Sequence, residues 1–237
     1  VRGRGGDAET GNQFGVRVTG SKILGGTTLP LTVVGTGGAS AGINNLGVVV
    51  TAAQSQISSA GGDVSVTGTG GGVGNSIFNY GVRVAAAAEL TAGGSGTVTV
   101  IGHGGNSEGT GDGNYGVSIG VNNARISSGG GSISVTGTAG SGSTRFGIAL
   151  MSNGQIVATT GTPTVTLVAD RMDLETSSSL IDAGGNTVLL RQLTEGRAIN
   201  LGGDDSGQLG LTDAELNRIH AGVLQIGDRN SGTITVS

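Results

Sequence analysis

Short runs in which apolar and polar residues alternate recur along most of the chain. FGVRV, LGVVV, YGVRV, YGVSI and FGIAL place Gly15, Gly47, Gly81, Gly116 and Gly147 at spacings of 32, 34, 35 and 31 residues. A second apolar run follows each glycine, centred on Ile23, Ile57, Leu90, Ile126 and Ile156. A third begins at Leu31, Val64, Val98, Ile133 and Val165. Period-two alternation predicts strands, and the Gly/Ser/Asn-rich spacers predict turns. Strands this short cannot hold a sheet alone, but stacked repeats bury one continuous core. The expected fold is therefore all-β, a single-stranded parallel β-helix (β-solenoid) with three short strands per rung. The crossover rule makes it right-handed, and each rung rises by about 4.8 Å. The pattern implies about seven to eight rungs.

Stacking predicts columns of equivalent residues. The position before the first glycine reads Phe14, Leu46, Tyr80, Tyr115, Phe146, which takes four of the five aromatic residues of the chain. The alternation places Tyr80 with Val82 and Val84 on the inward face, so this column is expected in the core, where offset rings add contact energy. The preceding position reads Gln13, Asn45, Asn79, Asn114 and Arg145. Its amides are expected to pass hydrogen bonds from rung to rung. Both columns read as structural ladders. Loop length varies after the third strand, where functional variation concentrates.

The pattern changes near residue 170, dividing the chain into 1–169, the glycine-rich repeats, and 170–237, a final β-helix module. LTDAELNRIHAG is the one convincing helix, expected at about 213–221. Thr212 and Glu215 form a capping box, Leu211 and Leu216 a hydrophobic staple, and Gly222 a stop. The first part carries seven basic and six acidic residues, the second five and ten. The last module is therefore the acidic one.

Composition narrows the function. Glycine is extreme at 51 residues, and cysteine is absent. A net charge of −4 without a basic run gives no footprint for nucleic acid. No apolar stretch approaches the roughly 20 residues of a membrane span. No catalytic residue or cofactor site emerges. His103 sits in a loop column with Arg4, Thr36, Thr69 and Thr138. His220 falls at the expected helix C-terminus, where it complements the dipole. Calcium is the one metal to weigh, because Asp204 and Asp205 in GGDDSGQLG and Asp112 in GTGDGN are fragments of a calcium-binding β-roll repeat. They are partial and unrepeated, so turn aspartates are the expectation. Polysaccharide lyases and hydrolases also use β-helices, but they need clustered carboxylates on an outer face, and the column Arg17, Val49, Arg83, Ser118, Ala149 is bland. An ice-binding threonine array is broken by Val34, Ile101 and Val168.

VRGRGG aligns with VTGTGG, so the chain is expected to begin inside a third strand. SGTITVS aligns with SGTVTVI, so it is expected to end in the same column. The stretch INLGGDDSGQLGLTDAELNRIHAGVLQIGDRNSGTITVS, with TVLLRQ before it, is similar to a block repeated in filamentous-haemagglutinin-like bacterial surface proteins. That resemblance implies a secreted, extracellular stalk or fibre with a role in adhesion. Its implied partners are copies of itself or adjacent tandem blocks, and host or surface glycans. Together these readings point to a structural, non-catalytic segment at a bacterial cell surface. A polysaccharide-binding or polysaccharide-degrading β-helix is the alternative.

Overall fold

The structure is a computed structural model and describes residues 1–174, 178–205 and 207–237. Parallel strands wind into a β-solenoid of about seven turns with three walls. The first wall consists of Val16–Thr19, Val48–Thr51, Val82–Ala85, Val117–Gly120, Ile148–Met151 and Met172–Asp173. The second holds Lys22–Gly25, Gln56–Ser59, Glu89–Ala92, Arg125–Ser128, Gln155–Val157, Leu180–Asp182 and Ile219–His220. The third holds Arg2–Arg4, Leu31–Thr36, Val64–Thr69, Val98–His103, Ile133–Thr138, Thr164–Val168, Thr187–Arg191 and Val223–Ile226.

The sequence columns are the structural registers. Val48, Val82, Val117 and Ile148 stack along the first wall. Ile57, Leu90, Ile126, Ile156 and Ile181 stack along the second. Val33, Val66, Val100, Val135, Leu167 and Leu190 stack along the third. All of these are fully buried and share one core. Full burial of such a side chain contributes about 1.5–3 kcal/mol, and no turn has that core without its neighbours.

Two lines of glycine hold the third wall against the first. The Cα atoms of Gly35, Gly68, Gly102 and Gly137 lie so near the next wall that an added Cβ would stand 1.9–2.1 Å from the carbonyl oxygens of Gly47, Gly81, Gly116 and Gly147. Backbone meets backbone at this corner. The chain then leaves the barrel as a loop and returns. Loops 5–13, 37–45, 70–79, 104–114 and 138–145 stack into a flange along the side of the solenoid. Their register is kept by bonds such as Gly71 N–H to the Asn45 carbonyl and Gly105 N–H to the Asn79 carbonyl, both 2.7 Å.

The last module departs from expectation in three places. The helix is one turn, Asp213–Leu216, capped by Asn217 rather than stopped at Gly222. Ile219 instead extends the second-wall column opposite Ile181, and the Arg218 and His220 carbonyls accept N–H groups from Ile181 and Ala183. A continuing helix would forfeit those bonds. His220 is consequently a strand residue, 2.8 Å from Asp182, not a helix terminus. The capping box forms, and Leu216 packs on the core that buries Leu211. The final strand, Ile234–Val236, pairs with Ile199–Leu201 in a fourth sheet, not with the third wall. The chain therefore enters in a third-wall strand paired with Leu31–Thr36 and leaves in a different sheet.

Candidate functional site

The flange has a polar interior. Asn45, Asn79 and Asn114 are fully buried, with Ser40, Ser76, Asn106 and Ser141 buried around them. The Asn79 side-chain oxygen accepts both the backbone N–H and the side-chain amide of Asn45, each at 3.0 Å. Its own amide donates to the Asn114 oxygen at 2.8 Å, where the Asn79 backbone N–H also arrives at 2.9 Å. Gln13 joins through its backbone N–H to Asn45, but its side chain turns back to Gly11. This network fixes the loops, so their tips are presented from a rigid support.

The aromatic column does not lie in the main core. Leu46, Tyr80 and Tyr115 form a second cluster with Val49 and Ala149, joined by Phe14, Phe146 and Met151. Alternation breaks because the chain turns at the glycine after each ring, which folds the ring over the outer face of the first wall. The rings step along that face, with centroids 5.4 Å apart for Tyr80–Tyr115 and 5.6 Å for Tyr115–Phe146. Burial pushes both tyrosine hydroxyls above the ordinary range. Guanidiniums cover the outer rings, Arg17 over Phe14, Arg83 over Tyr80 and Arg171 over Phe146, at 4.9–5.1 Å.

A groove of about 230 Å³ opens on this face. Leu46, Val49 and Ala85 floor it, Asn12, Asn44, Thr51 and Arg83 edge it, and Phe14 and Val121 flank it. Two exposed apolar residues at this face hold left-handed backbone. Phe78, at φ 59°, occupies a column otherwise filled by Asn12, Asn44 and Gly113, residues that adopt this region at little cost. Val121, at φ 68°, is β-branched and worse suited. Phe78 is 40% exposed, Val121 38%, and the Phe78 ring lies 6.3 Å from Tyr80. At Val121 the left-handed corner recurs in the other turns, at Gly20, Ala52, Ala86 and Ser152, so it belongs to the turn geometry and the β-branched side chain bears its cost. Val121→Asn is expected to raise stability by about 1 kcal/mol, readable as an increase in the denaturation midpoint. A loss of stability would show that Val121 is held by packing. Sequence reading missed both residues, although Phe78 visibly breaks a column of Asn and Gly; Val121, in a column with Gly20, Ala52, Ala86 and Ser152, gave no such signal.

The carboxylates serve the turns. Asp112 accepts the Ser143 and Thr144 N–H groups of the next turn at 2.6 and 3.2 Å. Asp63 accepts the Thr97 N–H at 2.7 Å. These bonds hold both carboxyls below the ordinary range, the Thr144 and Thr97 N–H groups contributing most. Asp205 accepts the Gly210 N–H at 3.0 Å and an Arg171 guanidinium N–H at 3.4 Å, and Asp204 is exposed beside it. Asp112 is not grouped with this pair: Ser143, whose N–H it accepts, and the Arg171 guanidinium stand between it and Asp205. Among the described residues, no three His, Cys, Asp or Glu side chains are grouped to hold a metal. His103 is exposed in its column beside Thr69 and Thr138. Glu89, on the outer second wall, is tied by Arg125 at 2.6 Å, Gln56 at 3.1 Å and Ser127 at 2.7 Å.

Asp205 and Glu215 behave oppositely, since burial pushes both above the ordinary range. A raised carboxyl favours the folded state most when protonated, and that contribution fades as pH rises through its folded value. A lowered one contributes above its unfolded value and is lost in acid. As pH falls from neutrality, protonation of these two groups is thus expected to add to global stability, read as increased protection of the slowest-exchanging core amides. Below about 4, where unfolded aspartates take up protons, protection at Thr97 and Thr144 should fall. Hydrogen exchange, corrected for its intrinsic pH dependence, measures both. Protection of the slowest core amides that falls steadily from pH 7 would contradict this.

Among the described residues no helix is long and apolar enough to cross a membrane. No family model, curated protein or solved structure matches the chain.

Proposed function

We propose that this chain is a non-catalytic, rod-forming segment of a bacterial surface or extracellular fibre protein, as its resemblance to filamentous-haemagglutinin-like adhesins suggests. The observation that carries this reading is the continuity of the core columns. Val33, Val66, Val100, Val135, Leu167 and Leu190 stack in one unbroken buried column through successive turns. A core built this way is repeated along an axis, and repetition along an axis makes a stiff rod. Absence of cysteine suits an exported chain that must not mispair. Electron microscopy of native material tests the proposal. Continuous rods with an axial repeat near 4.8 Å support it, and isolated compact particles overturn it.

The groove flanked by Phe14 and Val121 favours a second role for the same rod, binding of surface polysaccharide. Its floor is apolar and its edges carry amides, the mixture a sugar ring presents in complement. Electrophoresis through gels containing neutral polysaccharide is expected to retard the protein, and the Phe14→Asn, Val121→Asn pair is expected to remove the retardation. Equal mobility with and without polysaccharide would dispose of this role.

A further inference from the structure

The flange stops after the fifth turn, and its end makes a notch. The corner at 169–171 runs directly from the third wall to the first, whereas 139–145 before it and 192–198 after it are longer. Between them lies a recess of about 200 Å³, lined on one side by Thr138 and Arg145, on the other by Leu193 and Arg197, and at its base by Asp170 and Arg171. Three guanidiniums converge there.

Two of them are fixed. Arg171 lies over the Phe146 ring and donates from Nε to Asp205 and from Nη1 to the Ser143 carbonyl, both at 3.4 Å. Arg197 donates from Nε to the Asp170 carbonyl at 3.1 Å and from Nη2 to the Gln208 carbonyl at 3.0 Å. Each guanidinium carries five N–H donors, so several remain on both. Asp170 has its oxygens engaged by the N–H groups of Leu193 and Thr194, at 3.0 and 2.8 Å, and by the Thr194 hydroxyl at 2.5 Å. It also stands 3.8 Å from Arg197 Nε. Asp205 is engaged by Arg171 and the Gly210 N–H. Arg145 stands exposed at the mouth, with no carboxylate at ion-pair distance among the described residues. Among the residues lining the recess, three cations therefore face the single carboxylate of Asp170, beside unused, rigidly held donors and the exposed side chain of Leu193.

We infer that the notch binds a carboxylate carried on a small, partly apolar group. Arg145 supplies the attraction, and the remaining donors of Arg171 and Arg197 supply the fork that matches a planar carboxylate. The volume admits a single sugar acid or the carboxyl end of a peptide, and Leu193 offers an apolar surface to either. This site is independent of the rod and of the groove flanked by Phe14 and Val121.

The test is calorimetric and NMR titration of the full chain with glucuronate and with N-acetylalanine, using glucose as the neutral match to glucuronate. Saturable binding of at least one carboxylate is expected, with none for glucose. Arg145→Ala, an exposed position, should weaken it by about tenfold while leaving the amide spectrum elsewhere unchanged, and Arg145→Lys should retain part of it. Glucuronate alone would name an acidic sugar as the source, and N-acetylalanine alone a peptide terminus. The inference is overturned if neither carboxylate saturates the site, if glucose binds as well, or if Arg145→Ala binds as tightly as the parent.

Discussion

Gly102→Ala is expected to destabilise the solenoid by about 3 kcal/mol or more, among the largest losses of any single-methyl addition to the chain. The new Cβ would stand 2.1 Å from the Gly116 carbonyl oxygen and 2.6 Å from the Gly116 carbonyl carbon and a Val117 methyl group. Two of those atoms are backbone and cannot swing aside. The third wall would have to part from the first, disturbing the ladder from Val98–His103 to both neighbouring strands. Gly26→Ala is the matched control. It meets nothing within 4 Å, so it should change stability little or raise it by a few tenths of a kcal/mol through loss of unfolded-state freedom. Urea midpoints for the two variants make the comparison, and equal midpoints would show that the corner can open cheaply.

Asn79→Leu is expected to cost about 2–4 kcal/mol. The leucine is close in volume, so packing is not the main loss. The buried N–H of Asn45 loses its acceptor, the Asn45 amide loses one of its partners, and Asn114 loses a donor. An unsatisfied buried donor is charged its full desolvation, and the neighbouring amides share the fault because they polarise one another. Gln13→Leu, at the end of the column where the side chain bonds only its own loop, should cost well under half as much. Hydrogen exchange adds a spatial reading. Stability in a stacked repeat is mainly a sum of neighbour terms, so loss of protection should centre on loops 37–45 and 104–114 rather than spread evenly. Uniform loss over all turns would mean that the flange is not an independent network.

These two effects explain why glycine and asparagine are so prominent here. Glycine lets two walls share a corner with no side chain between them. Asparagine supplies a donor and an acceptor in one short side chain, which is what a column repeating every turn needs. Carboxylates do a related job at exposed turns, where Asp63 and Asp112 each take N–H groups from the turn above.

Repetition made most of the fold readable before any coordinates. Each turn states the same strand phases again, so the columns of Val33, Ile57 and Val82 could be aligned by inspection, and pairing followed the alignment. Where the repetition ended, the reading weakened. Thr212 and Glu215 carried a true local signal for a helix start. Nothing local marked its end, because the helix is cut short by a distant strand, Leu180–Asp182, that offers Ile219 a place in the core. The last strand was misplaced for a related reason, its partner Ile199–Leu201 being chosen by space left in the stack.

The amino-acid sequence alone determined the solenoid, its strand register through the repeats and the amide column, because period-two alternation and a fixed repeat length are properties of the chain itself. Tertiary structure decided which way the aromatic rings turn, where a corner is short enough to leave a notch, and which arginines meet in it. Arg145, Arg171 and Arg197 are separated by about 26 residues along the chain, and only the stacking of successive turns brings them to one recess.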